Sequence, residues 1–335
     1  MDGYGSRKCG LRLRCRLHDR WPGALFCTAF LTVCGSLPAF AEHGPDLVGA
    51  VDKDKPVTFT LPSQTLKNDD IQIFHGAPAQ KGDWRSIAIS QTDNAGVKST
   101  CTATFIGQHV LLTAAHCVVV GANNFASPIT IGPFKYRCTV DRAYLSTTIL
   151  SSVRHPADYA LCVAEPYSGP TPSDFKHLRW DSLDLRAVAR NDLLLVAGFG
   201  CVSWTFNPST GNITVHPVEK KLVVGDFKVA DLEEDSFSSE SDGKTQSALC
   251  SGDSGGPAFN GVSVMNPDGA RTIRGIASRK VVEDNKVVSH FASLSTSRFR
   301  RFLTCWKGDN PDAYLMIQTS DGKPLEGQAC AAGTW

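Results

Sequence analysis

Short apolar runs, separated by clusters of Gly, Asn, Asp and Pro, recur along most of this 335-residue chain. Their length and spacing are typical of β-strands that are joined by turns, and they are too short to indicate helices. We therefore predict an all-β fold. The runs cover residues 86–90, 103–106, 110–112, 160–163, 193–197, 222–224, 275–277 and 287–291.

One helix is predicted near the end of the chain, from Ser295 to about Trp306. Its apolar side chains, Phe299, Phe302, Leu303 and Trp306, recur at helical spacing. The chain after it, residues 307–335, is interpreted as a C-terminal extension. Within this extension we predict a small hairpin around the Asp321-Gly322 pair, because Asp-Gly is a favoured hairpin turn.

The first 41 residues have the order of a secretory signal peptide. A basic stretch precedes an apolar run over 23–37, and Ala39-Phe40-Ala41 is a small-residue cleavage site. An uncleaved anchor is the alternative, although the run is short for a membrane span. We predict a secreted or periplasmic protein with no membrane attachment after cleavage. The polar residues 42–72, which Pro interrupts, are interpreted as a pro-segment rather than a core element.

Export changes the interpretation of the 12 cysteines, because an oxidising compartment favours disulfides. Four precede Ala41, and the other eight form an even set. The chain contains no Cys-x-x-Cys pair and no His-Glu-x-x-His motif, so we expect no metal and no cofactor. A formal net charge of +1 gives no indication of nucleic-acid binding.

A candidate nucleophile, Ser254, lies in the string 252–257, Gly-Asp-Ser-Gly-Gly-Pro. Glycines on both sides let the backbone approach a substrate closely, and they place Ser254 in a turn. The amide N–H groups of Gly252 and Ser254 are the candidate donors to an oxyanion. A serine hydroxyl also needs a base and an acid that orients the base. An ordinary Asp-Ser-Gly-Gly turn is the alternative interpretation.

The candidate base is His116, which follows an apolar strand and the small residues of Thr-Ala-Ala-His-Cys, 113–117. The candidate acid is Asp158, which directly precedes the apolar run 160–163. Asp141 and Asp181 are its competitors, but neither opens so apolar a run. Alone, His116 and Asp158 would each be interpreted as structural.

The order His116, Asp158, Ser254 and the strings around them resemble those of the chymotrypsin/trypsin-like serine proteases. Gly198-Phe199-Gly200 and Gly275-Ile276-Ala277-Ser278 are also similar to family strings. The resemblance covers residues 73–306. It implies two six-stranded antiparallel β-barrels with a C-terminal helix, protein or peptide substrates, and a monomer.

The resemblance also implies how such a protein is activated. Cleavage between Gln72 and Ile73 would create an ammonium that pairs with Asp253. Many family members have Arg or Lys before this cleavage point, so an activating protease of trypsin-like specificity would not be expected to cut after Gln72. By the motif spacing, the substrate pocket is formed by Ala248, Leu249, Ser278 and Lys280. Because Ala248 stands where trypsin-like members carry Asp, we expect cleavage after small or medium apolar residues rather than Arg or Lys.

Among the disulfides, Cys101–Cys117 matches the family bridge beside the histidine. Cys250 matches a family cysteine whose usual partner is absent, so Cys201 is a candidate replacement. Cys138–Cys162 and Cys305–Cys330 follow by elimination and proximity, although eight cysteines allow 105 connectivities.

Two other classes of function remain as alternatives. A catalytically inactive homologue would act as a binding protein through the same barrels, since fold alone does not determine function. An esterase of the Gly-x-Ser-x-Gly type would require the order Ser, acid, His, whereas His116 precedes Ser254 here.

Overall fold

The protein is described from a computed structural model. The residues described are 57–61, 76–79, 83–94, 97–119, 128–146, 157–166, 168–169, 173–201, 204–207, 212–215, 221–242, 245–283 and 286–330. Within these ranges, no helix has the length and hydropathy needed to span a membrane. The predicted signal peptide lies outside them, as do Gln72 and Ile73.

Strands dominate the described chain, as the apolar runs predicted. They are β1 (Val57–Thr60), β2 (Ala77–Pro78), β3 (Ile87–Asn94), β4 (Val97–Gly107), β5 (Val110–Thr113), β6 (Ile129–Ile131), β7 (Phe134–Val140), β8 (Ala160–Ala164), β9 (Ser182–Asp184), β10 (Leu193–Gly198), β11 (Trp204–Asn207), β12 (Asn212–Val215), β13 (Val223–Leu232), β14 (Ser236–Ser241), β15 (Pro257–Asn260), β16 (Thr272–Glu283), β17 (Lys286–Ser293) and β18 (Ile317–Gln318). The helices are α1 (Arg142–Ser146), α2 (Ser173–Lys176) and α3 (Ser297–Asp309), together with a 3-10 turn at Ala115–Cys117.

Two closed barrels are built from these strands, in agreement with the predicted fold class. The first follows the order β1-β3-β4-β5-β8-β7-β6 and closes through β1 and β6. The second follows β15-β10-β13-β14-β17-β16 and closes through β15 and β16. The second barrel therefore has the six strands that were expected, whereas the first has seven.

The additional strand of the first barrel is β1, which lies within the range 42–72 that we interpreted as containing no core element. Val57 and Phe59 are buried and the threonines between them are exposed, which is the alternation of a strand with one face in a core. The strand pairs antiparallel with β3 and parallel with β6. Residues upstream of Ile73 thus contribute a wall of the first barrel.

The C-terminal helix α3 begins two residues after the predicted start. Its N-cap is Thr296, whose side-chain oxygen accepts a hydrogen bond from the Phe299 N–H at 3.0 Å. The four apolar side chains that predicted the helix are all buried. Two of them, Phe299 and Phe302, pack on the Tyr159 ring of the first barrel at 4.9 and 5.1 Å between centroids.

The C-terminal extension does not form the predicted hairpin. Its strand β18 pairs in parallel with β9, so its hydrogen bonds are made to a distant segment. Gly322 does occupy a turn, with φ of +68°. The Cys305–Cys330 disulfide and a bond from the Gln328 N–H to the Thr304 carbonyl, 3.1 Å, hold the end of the extension against α3.

If β1 is a necessary part of the first barrel, truncating its buried ring must destabilise the whole fold. We expect Phe59→Ala to lower the free energy of unfolding by about 3 kcal/mol, because it leaves a cavity in the core. The exposed neighbour Thr58 provides a control, and Thr58→Ala should cost less than about 1 kcal/mol. Chemical denaturation without reductant measures both, and equal losses would contradict the assignment of β1 to the core.

Candidate active site

Ser254 lies in a loop that precedes β15 of the second barrel and is held from the first barrel by Thr102 in β4. The Thr102 N–H donates to the Ser254 carbonyl at 2.7 Å, and the Thr102 hydroxyl donates to the Gly252 carbonyl at 2.8 Å. The same hydroxyl accepts from the Phe199 N–H at 3.2 Å. Thr102 was not predicted from the sequence, because it contacts residues that lie 97 and 150 positions away along the chain.

The Ser254 loop leaves two backbone donors available. In the part of the chain that the structure describes, neither the Gly252 N–H nor the Ser254 N–H donates to another group. Gly252 has φ of +109°, and a Cβ there would lie 2.6 Å from the Phe199 carbonyl oxygen. Only glycine fits this position, which explains in physical terms why a glycine precedes Asp253.

His116 is supplied by the first barrel, in the 3-10 turn that follows β5. Its backbone N–H donates to Asp158 Oδ1 at 3.0 Å, and its Nδ1 lies 2.8 Å from Asp158 Oδ2. The Asp158 side chain is 3% exposed, whereas that of His116 is 36% exposed. The imidazole is therefore fixed on its buried edge and accessible on the other.

The carboxylate of Asp158 is kept ionised by its partners. Burial raises its pKa, but His116 and the hydroxyl of Ser278 together hold the pKa of Asp158 at about 2. Burial lowers the pKa of His116, and the Asp158 charge outweighs this, so the net shift of the His116 pKa is upward. A carboxylate with these contacts can orient an imidazole and stabilise its protonated form.

Ser278 connects the histidine pair to Ser254. Its Oγ donates to Asp158 Oδ2 at 2.5 Å, and its carbonyl accepts from Ser254 Oγ at 3.4 Å. The sequence placed Ser278 only in the substrate pocket and missed its contact with Asp158. That contact depends on a β-bulge between Ala277 and Arg279, and the resemblance of residues 275–278 to a family string was the available signal.

The two competing carboxylates lie elsewhere. Asp141 accepts from the Tyr159 hydroxyl at 2.9 Å. Asp181 accepts from Arg271 Nε at 2.9 Å and from the Ser86 hydroxyl at 2.5 Å. Both acids have structural partners, so Asp158 is the carboxylate that contacts His116.

The predicted pocket residues surround the same loop. Ala248 and Leu249 are buried just before it, and the Leu249 N–H donates to the Ser289 hydroxyl at 3.0 Å. Lys280 is half-buried, and its Nζ lies 3.3 Å from Cys250 Sγ. The side chain of Lys280 therefore turns toward Cys250, at the start of the Ser254 loop.

Asp253 is fully buried behind Ser254. Its Oδ1 accepts from the Gly200 N–H at 2.7 Å, and its Oδ2 accepts from the Cys250 N–H at 2.8 Å. Ile73 lies outside the described residues, so its pairing with Asp253 stays a prediction.

The eight cysteines after residue 100 form four disulfides, in the pairs that the sequence favoured. These are Cys101–Cys117, Cys138–Cys162, Cys201–Cys250 and Cys305–Cys330. Cys101 and Cys117 lie beside His116 at metal-ligand distance. Their sulfur atoms are bonded to each other, so they offer no thiolate to a metal ion.

Comparison with known proteins identifies the family of the chain. No curated protein matches the chain. The trypsin family model matches residues 73–296, which is more than half of the chain and includes His116, Asp158 and Ser254. The chain therefore belongs to the trypsin family of serine proteases.

Proposed function

We propose that the protein is a serine endopeptidase in which Ser254, His116 and Asp158 act as nucleophile, base and orienting acid. The observation that carries the proposal is the double contact of His116 with a buried, ionised Asp158 beside the Ser254 loop. This contact leaves the other imidazole nitrogen, Nε2, on the accessible edge of the ring. Rotation of the Ser254 side chain away from the Ser278 carbonyl would bring its hydroxyl toward that nitrogen.

In the proposed reaction, Ser254 Oγ attacks the scissile carbonyl carbon while its proton passes to His116 Nε2. The carbonyl oxygen becomes negatively charged and accepts hydrogen bonds from the N–H groups of Gly252 and Ser254, which have no other acceptor among the described residues. His116 then protonates the leaving amine as the C–N bond breaks, which yields an acyl-enzyme. Water, activated by His116, hydrolyses the ester and returns the proton to Ser254.

We infer that the pocket prefers small or medium apolar P1 side chains. Ala248 provides no carboxylate for an Arg or Lys side chain, and Leu249 is apolar. In this proposal, Lys280 narrows the pocket and adds positive charge to its wall. A cationic P1 side chain would therefore lose its water without gaining a partner.

We further propose that the protein acts after export, as a monomer in the periplasm or outside the cell. Four disulfides fit an oxidising compartment. Its partners would be protein or peptide substrates. The zymogen scheme, with cleavage between Gln72 and Ile73 by an activating protease, remains the expectation from the family resemblance.

The first test is labelling with a fluorophosphonate, which reacts with an activated serine. We expect labelling of the wild type and none of Ser254→Ala, because the hydroxyl is the reacting group. Ser251→Ala, three residues earlier in the same loop, should label normally. A correctly folded, processed protein without Ser254-dependent labelling would favour the binding-protein alternative.

The second test concerns pH, since the base must be neutral. Because the pKa of His116 is raised above the ordinary 6.5, kcat/KM should fall with decreasing pH and have its midpoint above 6.5. Asp158→Asn should lower kcat by about 10⁴-fold and shift the midpoint down, since the negative charge is lost. The exposed acid Asp231 provides a control, and Asp231→Asn should leave the profile unchanged. An unchanged midpoint in Asp158→Asn would contradict the role of Asp158.

The third test is a set of peptides that differ only at P1. We expect kcat/KM for Ala and Val to exceed that for Arg and Lys by at least about tenfold, a difference that one mismatched side chain can cause. A profile dominated by Arg or Lys would refute the proposed specificity without affecting the proposed chemistry.

A further inference from the structure

The buried negative charge of Asp253 needs a countercharge, and the proposed mechanism does not supply one. Its carboxylate is fully buried, and its two backbone hydrogen bonds come from Gly200 and Cys250. The approach to Gly200 is so close that a Cβ there would collide with the carboxylate. Hydrogen bonds alone do not balance a buried negative charge, so a cation is expected nearby.

Lys280 brings a cation to this place. It lies in β16, two residues after Ser278 and beyond the β-bulge between Ala277 and Arg279. Its Nζ lies 3.3 Å from Cys250 Sγ, and the N–H of Cys250 donates to the Asp253 carboxylate. The ammonium therefore lies against the residue that holds the carboxylate.

The two charges act on each other. Burial raises the pKa of Asp253 to about 7, and Lys280 opposes this shift. Burial lowers the pKa of Lys280 to about 8, and Asp253 opposes that shift in turn. Each group therefore favours the ionised form of the other.

We infer that Lys280 is a positioning residue: it supplies the positive charge that holds Asp253, and thereby the Gly252–Ser254 loop, in the uncut chain. This inference rests on the proposed function of that loop. The role differs from the family expectation, in which the Ile73 ammonium does this only after cleavage. An uncut chain would therefore already have a formed oxyanion site.

The first barrel gives independent evidence that the uncut chain is folded. Its strand β1 lies upstream of Ile73, and the Phe59 side chain is fully buried. Cleavage between Gln72 and Ile73 would remove the covalent link between β1 and the rest of the barrel. The fold therefore includes residues on both sides of the expected cleavage point.

The test uses the exported full chain with intact-mass measurement, which shows whether labelled molecules still carry the residues before Ile73. We expect uncut wild type to react with a fluorophosphonate, and uncut Lys280→Met to react about 100-fold more slowly, comparable with the loss of an oxyanion donor. Lys280→Arg should restore most of the rate, because it keeps the charge. Lys228 lies exposed on β13, and Lys228→Met should react like the wild type.

A second measurement applies even if a variant does not react. In a Ser254→Ala background, we compare melting temperatures of Lys280→Met, Asp253→Asn and the double variant. Each single change should lower Tm by about 5 °C or more, and the double change should lower it by less than the sum, because neither charge is then left alone. Additive losses would overturn the pairing of Lys280 with Asp253.

The outcomes separate this inference from the proposed function. Labelling that occurs only after loss of the residues before Ile73 would overturn the role of Lys280 and leave the peptidase intact. Uncut Lys280→Met that reacts at the wild-type rate would do the same. An absence of Ser254-dependent labelling in both cut and uncut protein would instead reject the peptidase function. The melting temperatures of the single and double variants would still decide whether Lys280 and Asp253 are coupled.

Discussion

Thr102 joins the nucleophile loop of the second barrel to the first barrel through one backbone and one side-chain hydrogen bond. His116 and Asp158 come from the first barrel, so the position of Ser254 relative to them depends on this junction. The hydroxyl of Thr102 is itself held by the Phe199 N–H, and the Thr102 carbonyl accepts from the Thr113 hydroxyl at 2.8 Å. The proposed chemistry thus depends on contacts that are made before any substrate binds, which is the sense in which the site is preorganised.

Two buried carboxylates flank Ser254, and their environments shift their pKa values in opposite directions: the pKa of Asp158 is lowered and that of Asp253 is raised. Asp158 faces an imidazole and a hydroxyl, which hold its pKa at about 2 despite burial. Asp253 has two backbone N–H groups and the charge of Lys280, and burial outweighs them, so its pKa rises to about 7. In our proposal, these different environments give two like groups different roles: Asp158 orients a base, and Asp253 organises a loop.

Much of this arrangement could be predicted from the sequence, because its parts are local. The strings around His116 and Ser254 place small residues and glycines where the backbone needs them, and the helical spacing of Phe299 and Phe302 predicted α3. Contacts between distant segments were not predictable in the same way. The alternation in Val57–Thr60 was present in the sequence, but four residues in a polar, Pro-interrupted segment gave a weak signal. The contact of Ser278 with Asp158 depends on a bulge, which shifts the face that a side chain occupies and which no periodicity predicts.

In our proposal, Lys280 links substrate selection to the order of the Gly252–Ser254 loop. The motif spacing placed it in the pocket wall, and its orientation brings the ammonium to Cys250, whose N–H donates to the Asp253 carboxylate. In our proposal the same side chain narrows the pocket and compensates the buried carboxylate. A substitution that widened the pocket at this position would then also leave Asp253 without its cation, because both effects depend on one side chain. The proposal therefore couples specificity at this wall to formation of the oxyanion site, whereas a cation supplied by a chain terminus would leave the pocket wall free to vary.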